Sequence, residues 1–138
     1  MRIFKTKWFI RFARKEDLTD ASLHEAVNRV ERGLFDAELV GGLIKQWVAR
    51  SGEGRSGGFR TIIAYRKAEM AFIIYGFAKS ELDNVDASDI LLLRKAAKSY
   101  LEVSETELRA LIQDGELLEI VVNDLESVRR VRRDCRVF

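Results

Sequence analysis

Apolar residues follow two rhythms along this chain, a return every third or fourth position towards both ends and nearly unbroken runs through the middle. Phe4, Trp8 and Phe12 recur every fourth residue with Phe9 beside them, which predicts a first helix across roughly residues 5 to 15, with Arg11, Arg14 and Lys15 facing water. Thr19 or Asp20 offers an N-cap to a second helix whose Leu23, Ala26, Val27 and Val30 share one face and whose end fits Gly33. After Gly41-Gly42 the period changes. Leu43 to Ala49, Phe59 to Tyr65 and Met70 to Phe77 are rich in β-branched and aromatic residues. A basic Gly/Ser-rich segment over 50–58 separates the first two runs, and Arg66-Lys67-Ala68-Glu69 separates the last two. The third run is apolar at almost every position, as a central strand buried on both faces would be. Ile90, Leu93, Ala97 and Tyr100 resume a helical spacing. Ser104-Glu105-Thr106-Glu107 then spells a capping box ahead of Leu108, Leu111 and Ile112, with Gly115 as the stop. Leu117 to Val122 has the composition of a further strand, and 124–138 reads equally as a short amphipathic helix or a frayed tail.

These elements define an α+β fold, an antiparallel β-meander sheet with two N-terminal helices and C-terminal helices packed on it. A chain of 138 residues is long enough to hold one core without disulfides or metals. The expected organisation is one domain over 1–115, followed by a basic extension over 116–138. The single cysteine, Cys135, has no internal disulfide partner and fits a reducing compartment. No apolar run approaches the ~20 residues of a membrane-spanning helix, and Met1 to Lys7 lacks the apolar stretch of a signal peptide, so a cytoplasmic protein with no membrane association is expected.

Charge changes the picture because it is segregated. From Gly41 to Lys67, Lys45, Arg50, Arg55, Arg60, Arg66 and Lys67 face Glu53 alone, and Arg129 to Arg136 carries five arginines with only Asp134 against them. Between these segments, Glu81 to Glu119 holds ten acids and four bases. Clustered cations of this kind are the electrostatic footprint of a nucleic-acid site. They are also the ordinary solvating groups of an exposed strand, and at this level both readings stand.

Three of the cations are placed for chemistry. Lys45, Arg60 and Lys79 each lie on, or at the end of, one of three successive strands, so a meander brings them to one face. Cleavage of RNA by its own 2′-hydroxyl needs a base, an acid and cations to stabilise the charge gathering on phosphorus. Arg60 suits the last role, because guanidinium stays protonated and matches two phosphate oxygens at once. Lys45 and Lys79 can move protons where neighbouring cations lower their pKa. Arg50, Arg55 and Arg66 add phosphate contacts, and Tyr65 and Tyr75 offer rings to unpaired bases, although most aromatics of a one-sided sheet are core. His24 has no second histidine and no cysteine pair near it, Asp83, Asp86 and Asp89 fit a helix start better than a metal site, and no cofactor or metal is assigned.

The stretch from Gly41 to Arg50, followed by Gly54-Arg55-Ser56-Gly57-Gly58-Phe59-Arg60 and later by Tyr75-Gly76-Phe77-Ala78-Lys79, resembles the HigB-type branch of the RelE/ParE toxins. The resemblance covers roughly residues 1 to 112. It implies a small ribonuclease-like α+β fold and a metal-independent endoribonuclease that cuts messenger RNA on the ribosome. It also implies neutralisation by a cognate antitoxin, a helix-turn-helix protein encoded adjacently. Lys45, Arg60 and Lys79 match the family's basic positions, and Arg50 and Arg55 match its loop cations. Some members carry a tyrosine shortly after the last strand, where this chain has Asp83-Asn84-Val85-Asp86. Two other functions remain open at this point, a ParE-like inhibitor of DNA gyrase and a non-enzymatic RNA-binding module.

Overall fold

In the computed structural model, which describes residues 1–39, 41–49, 58–67, 69–78 and 87–121, the chain opens with a strand. This strand, β1 (Arg2–Thr6), precedes helix α1 (Lys7–Glu16), so the Phe4, Trp8, Phe12 series straddles a strand-to-helix boundary and is not one helical face. Phe4 is wholly buried in the sheet with its ring stacked on Phe72 at 5.3 Å. Thr6 starts the helix, its hydroxyl oxygen accepting from the Phe9 amide at 3.4 Å. The helix buries Phe9 and Ala13 and leaves Trp8 43 % exposed, so its core face is rotated from the expected one.

Helix α2 (Asp20–Glu31) is capped by Thr19 and buries Leu23, Ala26, Val27 and Val30, as their spacing predicts. A short edge strand that sequence reading did not anticipate, β2 (Ala37–Leu39), pairs with β3 (Leu43–Val48). Strands β4 (Phe59–Arg66) and β5 (Met70–Ala78) complete the antiparallel meander. Beyond β5 lies β1, running parallel to it, and then β6 (Leu117–Glu119), antiparallel to β1, which gives the order β2-β3-β4-β5-β1-β6. The central position expected for the third apolar run is the one β5 occupies. The last strand begins just past residue 115, and 122–138 lie outside the described residues.

Two cores sandwich the sheet. Helices α1 and α2 cover a first face with Phe9, Leu23 and Val27 over Ile44, Ile63 and Ile73. Helices α3 (Ala87–Leu101) and α4 (Glu105–Gln113) pack on the second face, where Ala97 and Leu108 meet Phe4, Phe72 and Leu117. The expected capping box opens α4. Ser104 accepts from the Glu107 amide at 3.1 Å, and the Glu107 carboxylate accepts from the Ser104 amide at 2.8 Å, which holds that carboxyl below its usual range. Arg2 ties the end of the sheet together. Its guanidinium meets Glu119 at 3.0 Å and Glu105 at 3.5 Å, and the hydrogen bond to Glu119 raises its pKa further.

Strand β5 contains one irregularity. Ile63 pairs with Ile73 but Ile62 pairs with Tyr75, so Ile74 is an extra residue, a β-bulge, and alternation restarts beyond it. Ile74, Tyr75 and Phe77 therefore all belong to the second face. Gly76 turns towards α1, where a Cβ would come within 2.7 Å of the Phe12 ring, so only glycine lets that ring lie on the strand.

Candidate active site on the second face of the sheet

Strand pairing sets the middle of the second face in rows. Lys45 lies opposite Ile62, which lies opposite Tyr75, and the next row runs Trp47, Arg60, Phe77. Residues in register share a face, and the bulge at Ile74 is what adds Tyr75 and Phe77 to the side holding Lys45 and Arg60. Lys45 and Arg60 are diagonal neighbours on adjacent strands, roughly 7 to 8 Å apart at the backbone, a gap that two long side chains close around one phosphate group. Lys45, Trp47, Arg60 and Tyr75 are half-buried.

A residue that sequence reading missed organises this pair. Asp36, just before β2, places its carboxylate 2.8 Å from Arg60 Nε, while its own amide donates to the Lys45 carbonyl at 3.0 Å. One short segment thus fastens both candidate strands. That segment is anchored in turn by Gln46, which is 1 % exposed and donates through Nε2 to the carbonyls of Ala26 at 3.0 Å and Leu34 at 2.9 Å. A buried amide so satisfied fixes the loop at little desolvation cost. The Arg60 side chain is only 16 % exposed, and its Nη1 is buried with no hydrogen-bond acceptor among the described residues. A cation held this way is preorganised, with a donor left for an anion. Nothing in the local sequence marks Asp36, and only the register of β2 against β3 exposes its position.

Two cations at this spacing suit a phosphate group. Among the described residues no group of histidine, cysteine, aspartate or glutamate converges to hold a metal ion. A family model described as the RelE toxin of the RelE / RelB toxin-antitoxin system matches residues 1–120. The chain belongs to the RelE toxin family. The match runs through every described element of this RelE toxin, from β1 to β6. Membership makes it the toxin of a toxin-antitoxin system, with an antitoxin as its partner. No curated protein matches the chain.

Two further sequence-predicted site residues of this RelE toxin, Tyr65 and Arg66, are not gathered with Lys45 and Arg60. Tyr65 pairs with Ala71 and packs against the core under α1 and α2, so its ring is on the opposite face from Tyr75. Arg66 sits at the far end of β4 and donates to the Leu101 carbonyl at 2.8 Å. Its Nε lies 3.1 Å from Glu69, an ion-pair distance without hydrogen-bond alignment. Lys79, Arg50 and Arg55 lie outside the described residues. His24 is half-buried in α2, with its Nδ1 3.4 Å from Asn28 Nδ2. A groove of about 460 Å³ between α3 and the Gly41 turn holds Arg94, Lys95 and Lys98, but none of the row residues. Among the described residues no helix is long and apolar enough to cross a membrane.

Proposed function

We propose that this RelE toxin is a metal-independent endoribonuclease that cuts messenger RNA on the ribosome and so stops translation, as its HigB-like motifs imply. The observation that carries the reading is the diagonal pairing of Lys45 with Arg60 on one sheet face, with Arg60 anchored by Asp36. In this mechanism the ribose 2′-hydroxyl attacks the adjacent phosphorus and loses its proton to a base. The bond to the 5′-oxygen of the next nucleotide breaks, and that oxygen takes up a proton. The products are a 2′,3′-cyclic phosphate and a free 5′-hydroxyl. Arg60 neutralises the charge on the non-bridging oxygens, worth ~3 kcal/mol for one well-placed donor. Lys45 serves the proton transfers, with Lys79 as the second proton-transfer group. Tyr75 offers a ring to a base, and Arg50 and Arg55 reach flanking phosphates. The antitoxin in this reading is a small helix-turn-helix protein encoded beside the toxin, and both act in the cytoplasm.

Mapping transcript ends after induction tests the proposal. New 5′-hydroxyl ends should appear inside translated messages and vanish with Lys45→Ala or Arg60→Ala. Growth arrest by either variant as complete as that of the parent, or arrest with no new ends, would overturn it.

A further inference from the structure

The row through Lys45, Ile62 and Tyr75 does not stop at β5. Because β1 ends at Thr6, the C-terminal half of β5 has no strand beyond it among the described residues, and Trp8 on α1 lies at that edge with its indole stacked on Tyr75 at 4.7 Å. The indole also stacks on Phe12 at 5.3 Å. Trp8 nonetheless keeps 43 % of its surface exposed and, with Phe12, Arg11 and Lys15, lines a crevice of about 360 Å³. Arg11 and Lys15 are exposed and have no ion-pair partner among the described residues, whereas Lys7 on the same helix is paired with Glu116 at 3.7 Å. Lys15 lies in the last turn, where a cation also suits the helix dipole, but Arg11 is mid-helix and gains nothing there. Trp8 is thus held by rings on one side and left open on the other, between two cations that have no ion-pair partner among the described residues. This is what a strand of unpaired nucleotides recognises: ring against base, cation against phosphate.

We infer that Trp8, Arg11 and Lys15 form a second RNA contact that continues the cleavage face around the edge of β5. The inference rests on the ribonuclease reading above. Tyr75 joins the two parts. It lies two strands from Lys45, roughly 10 Å at about 4.8 Å per strand, and touches Trp8 directly. A single strand whose scissile phosphate sits at Lys45 and Arg60 therefore has its neighbouring nucleotides over Tyr75 and Trp8, with their phosphates within reach of Arg11 and Lys15.

The chain has two tryptophans, so a Trp47→Phe protein reports on Trp8 alone. The probe is a 2′-O-methyl RNA oligonucleotide, which lacks the attacking hydroxyl and stays intact. Its titration should quench Trp8 emission to saturation. In the same background, Arg11→Gln with Lys15→Gln should weaken binding about tenfold near physiological salt and lower the slope of log affinity against log salt by about 1.4, since each phosphate contact on a single strand contributes ~0.7. Circular dichroism confirms that the variant is folded. Absence of quenching overturns the inference, as does an affinity and salt slope unchanged by the double substitution. Binding lost only on substitution of Lys45 and Arg60 overturns it while leaving the ribonuclease reading intact. Binding that depends on Arg11 and Lys15 but ignores Lys45 and Arg60, with no cleavage of unmodified RNA, overturns that reading and keeps this contact. Unchanged RNA affinity combined with loss of antitoxin co-purification would assign the crevice to the partner protein and so overturn the inference as well.

Discussion

The two ends of β4 carry the same residue type on the same face, and they do different work. At one end Arg66 donates to the last carbonyl of α3, where a cation meets the negative end of the helix dipole, and pairs with Glu69 in the adjoining turn. At the other end Arg60 is gripped by Asp36, from a segment that also bonds to the Lys45 strand, and it keeps a buried donor without an acceptor among the described residues. Arg66 is spent on holding a helix down. Arg60 is held ready. Charge patterning treats the two as equals, and the difference arises only from which element each one reaches.

This contrast can be broken at either end. The largest effect on stability is expected at the scaffold end from Phe72→Ala, which removes a ring stacked between Phe4 and Tyr100 and should cost ~3–5 kcal/mol in denaturant unfolding. At the other end, Arg60→Ala should reduce RNA cleavage by about 10²–10³-fold even well below the unfolding midpoint, where the variant is fully folded. If the midpoint falls sharply while the residual activity stays high, the two ends are alike and the contrast fails. Arg66→Ala should do the converse, costing ~1–2 kcal/mol through the lost bond to Leu101 while cleavage below the melting temperature persists. The smallest effect is alkaline. Burial pushes the Tyr100 hydroxyl above its ordinary value, with Glu116 adding to the shift. A pKa raised in the folded state means that its stabilisation is whole below about 10 and is lost as pH rises beyond that value. Melting temperatures taken from pH 8 to 11 should therefore drop less steeply for Tyr100→Phe than for the parent.

Much of this molecule is legible without coordinates because local signals agree with global ones. The capping box at Ser104, the apolar face of α2 and the unbroken apolar run of β5 each have a single physical reading, and each holds. The pairing of Lys45 with Arg60 follows from alternation in a simple hairpin. What escaped reading depends on coincidence or on distance. The fourfold spacing of Phe4 and Trp8 suits a helix equally well when the first ring belongs to a strand, so β1 was hidden. The sequence offers Tyr65 and Tyr75 alike as rings for unpaired bases, and nothing in it warns that they face opposite sides. Asp36 has no local signature at all. Its role depends on a three-residue edge strand too short to show in periodicity.

The extra residue in β5 makes the site tolerant in one way and brittle in another. Gly76 apart, side chains along the strand can change conservatively one at a time, because each faces either a core or the candidate site. The length of the strand beyond the bulge cannot. Deleting Ile74 would only remove the bulge and leave Tyr75 opposite Ile62, whereas inserting one residue after Tyr75 would put a side chain where Gly76 lies against Phe9 and Phe12 and turn Phe77 to the first face. Variation in this family member is therefore expected to tolerate loss of the bulged residue and to exclude single-residue insertions between Tyr75 and Phe77.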